Sequence, residues 1–359
     1  MKKLSVVLVS SALAAAALPA AAQTNSAPAS SSQSSVQLFG LIDAMVYSRK
    51  LAGESRVVRE DGSGLNTSFW GVRGKEAIDG DLSAEFELTS FFRSDVGSAG
   101  RSDSDPMWSR SSWVGLSSRT FGDVRLGRLS TLSFLNMNRF SAFGSSSSFS
   151  PSFLQNYQSS ATQPMMTGSG TSDSLWNNVV SYSTPKFGGA SGALYVAPSE
   201  GTTAGRRFGG SVSYASGPFA IGLAAEKIDH MSLNFSKPPA SVLMQTSKLW
   251  NLGASYDFGV VKLFGQGIRT ELNNPAIGIT LNSYNVGASM PISRGTLMFS
   301  YGETTKSQTA VTDTKRRTAS LGYDYDLSRR TDVYAVAMND RATGRTSGTG
   351  FAVGLRHRF

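Results

Sequence analysis

The chain has no cysteine and only two histidines, His230 and His357. Without thiols it can form no disulfide, no thiolate nucleophile and no cysteine-ligated zinc site, an absence compatible with an oxidising compartment where stray thiols cross-pair. Two histidines are too few for a histidine metal centre, and no cofactor fingerprint divides the chain, so neither metal nor cofactor is expected. Long apolar runs are also scarce. The one near the start, Leu4 to Leu18, is about 15 residues, short of the roughly 20 that a membrane-spanning helix needs. Acids are in the minority, 25 against 34 lysines and arginines, for a formal charge of +9 to which Lys2 and Lys3 contribute two. No basic run is interleaved with aromatics, so the excess reads as loop charge and solubility and no nucleic-acid partner is expected.

What is present begins with an export signal. Lys2 and Lys3 precede the apolar stretch, and Ala20-Ala21-Ala22 precede Gln23, which together give the three parts of a secretory signal peptide over residues 1–22. Residues 23–35, rich in Ser, Ala and Gln, read as a disordered leader. Residues 36–359 then read as one all-β domain, because barrels commonly exceed the usual domain length as a single unit. The last ten residues, Gly350 to Phe359, carry the pattern most plainly. Phe351, Val353, Leu355 and Phe359 fall on one face with His357, and Gly350, Ala352, Gly354, Arg356 and Arg358 fall on the other, which is strand periodicity with one face for lipid and one for water.

Sixteen such segments follow one another from Val36 to Phe359, an even number. The clearest internal one is Leu82 to Phe92, with Leu82, Ala84, Phe86 and Leu88 alternating against Ser83, Glu85, Glu87 and Thr89. Connections alternate between short turns, such as 76–81, 118–123 and 216–218, and long polar loops, such as 49–68, 93–107, 229–247 and 305–316. Short turns at one end and long loops at the other are the pattern of an outer-membrane barrel. A propeller would repeat a motif at a blade period, and none is seen. Trp70, Trp108, Trp176 and Trp250 are expected at the outer ends of strands and Tyr182, Tyr214, Tyr256, Tyr325 and Phe359 at the inner ends, as two aromatic girdles.

Several short stretches then resemble a known family. Leu38-Phe39-Gly40-Leu41-Ile42-Asp43-Ala44, Gly71-Val72-Arg73-Gly74, Val114-Gly115-Leu116, Phe121 to Arg128, Ser181 to Pro185 and the ending Val353 to Phe359 occur in the order found in Gram-negative general porins, most similar to those of beta-proteobacteria. The resemblance implies a 16-stranded antiparallel transmembrane β-barrel in the outer membrane, a homotrimer, passing small hydrophilic solutes and ions. It also implies that the long loop after the fifth strand, residues 131–176, folds into the lumen and sets carboxylates against basic residues on the wall. This chain departs on both sides. The loop holds one acid, Asp173, and one base, Arg139, while Phe69 and Leu175 align with positions that are usually Arg. Arg110 matches a basic wall position.

Alternate faces further direct Gln37, Asp43, Arg73, Glu85, Glu87, Lys262, Gln266, Arg356 and Arg358 toward water, and Arg73, Arg125 and Lys262 join Arg110 against Asp43, Glu85 and Glu87. A depleted eyelet of this kind predicts weak to moderate anion preference, since charges act on ions at close quarters. Sixteen strands leave an aqueous passage where a small barrel would be filled. A barrel enzyme would need a nucleophile and base at the rim. His230 in a loop and His357 at the inner end do not supply one, so no catalytic role is expected. An adhesin or purely structural barrel would need no open lumen.

Overall fold

The computed structural model describes residues 34–157, 174–199, 205–234 and 241–359. The expected signal peptide, all but the last two residues of the leader, part of the 131–176 loop and Asp173 lie outside them. Sixteen wall strands are β1 (Ser35–Arg49), β2 (Phe69–Asp79), β3 (Leu82–Arg93), β4 (Ser111–Ser118), β5 (Gly122–Ser130), β6 (Leu175–Ser183), β7 (Ala190–Ala197), β8 (Arg207–Ser216), β9 (Phe219–Asn234), β10 (Ser241–Asp257), β11 (Lys262–Asn273), β12 (Gly278–Ile292), β13 (Gly295–Gln308), β14 (Val311–Asp326), β15 (Thr331–Ala342) and β16 (Gly348–Arg358). Each pairs antiparallel with its chain neighbours, and the ring closes where β16 lies against β1 from Leu41↔Arg358 to Arg49↔Gly350. The backbone of Phe359 exchanges two further hydrogen bonds of 3.1 Å with Gly40. Closure leaves no row of unpaired N–H and C=O groups for lipid to meet, which is the condition for a sheet to cross a bilayer.

The period-2 pattern sets the two faces. Val114, Val180, Val212, Leu252, Leu321 and Phe351 are each about half exposed or more on the outside, while their sequence neighbours Ser181, Asn251, Ser320 and Ala352 are buried toward the interior. Such an apolar exterior suits hydrocarbon. Phe86 shares the outward face with Val114, its partner across the ladder, and Glu87 points inward, where Ser111 donates to it at 2.5 Å. Phe86→Arg should therefore destabilise by about 2–4 kcal/mol if the site lies near the bilayer midplane, whereas Glu87→Arg should be tolerated. Reversible unfolding in lipid checks this, and equal damage from both would remove the assignment of faces.

Short turns behave as the sequence indicates. Gly80 adopts φ 56° between β2 and β3, and Asp81 beside it accepts from the Thr120 hydroxyl and N–H at 2.9 Å each, tying one short turn to the next. Those Thr120 bonds hold the Asp81 carboxyl below its usual range. The loops expected over 229–247 and 305–316 are instead largely strand. β9 and β10 pair as far as Asn234↔Ser241, and β13 and β14 pair up to Gln308↔Val311 around Ala310 at φ 60°. Hydrophobic alternation stops where a strand leaves lipid, but the hydrogen-bond ladder continues through Ser and Thr residues, so polarity alone mislabels these ends as loop.

The girdle expectation needs one correction. Trp70 and Trp108 pack together with ring centroids 5.8 Å apart, and Trp250, Tyr182, Tyr214, Tyr256 and Phe359 are exposed. Trp176 is 1 % exposed and lies inside with Leu129, Leu132, Tyr195 and Met244. Between β5 and β6 the register shifts, Gly127↔Val179 giving way to Leu129↔Trp176, and Asn178 sits at φ 59°. One extra residue in a strand exchanges its faces beyond that point.

Candidate functional site

The barrel interior is narrowed by the segment after β5. Among its described residues the helices are α1 (Leu132–Arg139) and α2 (Pro151–Asn156). Thr131 caps α1, its hydroxyl accepting from Phe134 N at 3.2 Å. Buried Glu226, on β9 of the wall, accepts from Ser133 N at 2.6 Å and Ser133 Oγ at 2.8 Å. A carboxylate at a helix start satisfies free N–H groups and opposes the helix dipole. Asn136 Nδ2 donates to the carbonyls of Gly222 and Asn251 at 3.2 and 3.0 Å, and Gln266 Nε2 donates to Phe140 O at 3.1 Å. Farther on, Gln155 Nε2 donates to Gly302 O at 3.1 Å and Thr318 Oγ1 at 2.9 Å, and Ser320 Oγ donates to Phe149 O at 2.7 Å.

The loop lies this close because the wall beneath it lacks side chains. Gly222, Gly253, Gly287, Gly302 and Gly322, one each on β9, β10, β12, β13 and β14, form a track, and a Cβ on any of them would press on Asn136, Phe140, Ala142, Pro151 or Phe143. Glycine within a strand often marks such close approach. The inward fold implied by family resemblance is therefore built by glycines scattered over a hundred residues of sequence.

The wall facing this shelf carries the basic residues. Arg110 Cζ lies 3.9 Å above the Phe69 ring, Arg73 4.6 Å above Phe39 and Arg125 4.2 Å above Trp113. Stacking on an aromatic face holds a guanidinium while leaving its in-plane N–H groups available. Arg73 also donates to Gln37 Oε1 at 2.8 and 3.1 Å. Phe69, at a position that resemblance makes Arg, thus becomes the platform for Arg110. Leu175 is 2 % exposed and presents no charge. Arg139 ends α1 on its exposed face, 5.3 Å from the Phe140 ring. Lys262 starts β11 at the short-turn end, away from this group, 5.4 Å above Phe264.

The acids are largely engaged. Glu85 meets Lys75 Nζ at 3.0 Å, and Glu87 lies 3.6 Å from Arg110 Nη1. Asp43, expected among the water-facing groups, is 0 % exposed. It is covered by residues 62–68, which turn into the barrel instead of lying outside as a simple loop. Arg356 and Arg358 also face inward but pair with Asp324 and Asp332 at 2.6 to 2.9 Å. Among the described residues no cluster of three or more His, Cys, Asp or Glu could hold a metal ion.

A closed barrel of sixteen strands, short turns at one end, and an interior loop seated on a glycine track is joined by a direct match. The Gram-negative porin family profile covers residues 9–345. The chain belongs to that family. It is thus an outer-membrane channel protein and not an enzyme. Outer membrane porin protein 32 of Delftia acidovorans is 33% identical over 92% of this chain and 96% of its own, and an outer membrane porin protein of Bordetella pertussis is 28% identical over 93% and 96%. Among solved structures, an anion-selective porin from Comamonas acidovorans superposes with a TM-score of 0.75 at 30% identity, covering 91% of this porin and 100% of that chain. OmpT of Vibrio cholerae shares the fold, at a TM-score of 0.67 and 15% identity over 92% and 99%.

Proposed function

We propose that this porin passes small hydrophilic solutes and ions passively with a weak to moderate preference for anions, and that the described part of the 131–176 loop, residues 131–157, forms its narrow part with Arg110, Arg73, Arg125 and Arg139. The observation that carries this reading is the balance of available charge. Arg73, Arg110 and Arg125 are stacked on aromatic platforms along one wall. Glu85 is paired with Lys75, Glu87 is offset by Arg110 itself and Asp43 is buried, so that among the described residues Arg73 and Arg125 keep their charge without a carboxylate partner. Like charges at a constriction select ions at close range, whereas distant loop charges are screened over roughly 10 Å in 0.1 M salt. The anion selectivity of the Comamonas acidovorans porin supports the same direction. The working unit is read as a homotrimer, on family resemblance and on the trimer form described for OmpT of Vibrio cholerae, and residues 1–22 as a signal removed on export.

Reversal potentials across planar bilayers in a tenfold KCl gradient test the preference. The wild-type channel should favour chloride, and Arg110→Ala should move the potential toward zero. Strong cation selectivity in the wild type would defeat the reading and place Glu85 or Glu87, rather than Arg110, at the narrowest point.

A further inference from the structure

Residues 62–68 interrupt the barrel wall. On one side of them a short strand, Val57–Asp61, pairs with β1 from Arg49 to Met45, and on the other β2 resumes at Phe69 opposite Leu41. Seven residues of one strand therefore stand against three of β1, Ile42, Asp43 and Ala44, and the surplus is turned inward. Its neck is closed by Ser68, whose N–H and hydroxyl both donate to Gly62 O at 3.1 and 2.9 Å. The Ser68 hydroxyl also lies 2.9 Å from Asp43 N and 3.1 Å from Asp43 O, so a side chain replaces the missing ladder contact.

The excursion touches both the wall and the interior loop. Asp43 accepts from Asn66 N at 2.8 Å and from the Tyr334 hydroxyl at 2.5 Å, and Arg356 Nη1 donates to Asn66 Oδ1 at 2.5 Å. Gly64 lies where any Cβ would collide with the Tyr334 hydroxyl. On the other side Ser146 Oγ donates to Gly64 O at 2.7 Å and Ser148 Oγ to Ser63 O at 2.9 Å. Leu65 shares one buried apolar cluster with Met45, Phe143, Phe149 and Tyr334. Residues 62–68 thus stand between β1 and the tip of the loop, residues 141–150, and among the described residues the direct hydrogen bond from β1 to that tip is a long one, Arg49 Nη1 to Ser148 O at 3.4 Å.

We propose that residues 62–68 are a second constriction element and that Asp43 is its positioning residue, pinning the excursion so that it fixes the tip of the 131–157 segment and limits the open cross-section. Asp43 touches no passing solute. It acts through Asn66 and Tyr334, and removing its carboxylate strips the acceptor from a half-buried N–H and from a buried hydroxyl, the latter the costly kind of loss. The excursion then detaches from a wall that remains closed, because β16 still pairs with β1 through backbone groups.

The inference rests on the 131–157 segment being the narrow part, which fails separately if excising residues 141–150 leaves conductance unchanged. The test compares Asp43→Ala, and a Ser146→Ala/Ser148→Ala double variant that alters no wall residue, with the parent as heat-modifiable barrels in planar bilayers. Each variant should raise single-channel conductance by roughly 1.5-fold or more and add open-channel noise, as expected when a constriction loosens. Leu65→Cys, the single thiol in a chain without cysteine, should react slowly with a bulky charged thiol reagent, and at least about tenfold faster when Asp43→Ala is added, because local release exposes it. Unchanged conductance and unchanged labelling in a folded barrel carrying Asp43→Ala, or unchanged conductance in the double serine variant if the former does not insert, overturns the proposal.

Discussion

Deleting Gly348–Phe359 is expected to eliminate correctly inserted barrel. β16 is paired along its length with β15, from Asp340↔Gly348 to Thr331↔His357, and with β1 from Arg49↔Gly350 to Leu41↔Arg358. Its removal opens two edges at once, and each unsatisfied backbone group in hydrocarbon costs several kcal/mol. It also takes away Arg356 and Arg358, leaving Asp332, 1 % exposed at its side chain, without a cation. Heat-modifiable protein in the outer-membrane fraction should disappear. Normal amounts of it after the deletion would mean that β1 and β15 can close the ring alone, and the strand count would be wrong.

The second large effect lies at Arg316 and Asp340, whose side chains are 1 % and 0 % exposed and meet through two bonds of 3.0 Å. Asp340 also accepts from Ala52 N at 2.9 Å and from Thr318 Oγ1 at 2.7 Å, and Thr318 in turn accepts from Gln155 of α2. Breaking such a pair leaves a buried guanidinium uncompensated, which costs about 3–5 kcal/mol, whereas replacing both partners by apolar groups is often neutral. Asp340→Ala should accordingly lose most of that range in reversible unfolding in lipid. Arg316→Met combined with Asp340→Leu should recover the larger part of it. A single variant within about 1 kcal/mol of the parent would show that the pair is solvated in practice, since exposed pairs contribute at most that much.

Much of the architecture is readable along the chain because strand pairing in this fold is local. Each strand pairs mainly with the next one, so a turn such as Gly80-Asp81 and an alternation such as Leu82 to Phe92 carry their own meaning. The outward face was legible for the same reason, since lipid selects every second residue without regard to distant partners. The interior was much less so. Trp176 follows the alternation of its strand on paper, and a single extra residue at the Asn177-Asn178 bulge sends it inside, a shift no period-2 count registers. Phe69 and Leu175 read alike, as missing arginines, yet one supports Arg110 and the other is buried without a charged partner.

The sequence by itself therefore determined the closed barrel, its two faces, its short-turn end and the membership of the porin family, because those depend on near neighbours and on the solvent each face meets. The tertiary structure alone decided what fills the lumen. The glycines at 222, 253, 287, 302 and 322 become a seat only when the strands are set side by side, and Asp43 changes from a water-facing acid to a buried one through Tyr334, 291 residues away. Contacts across a barrel join residues whose separation in sequence carries no periodic signal, and their energetics depend on burial that exists only after the ring has closed.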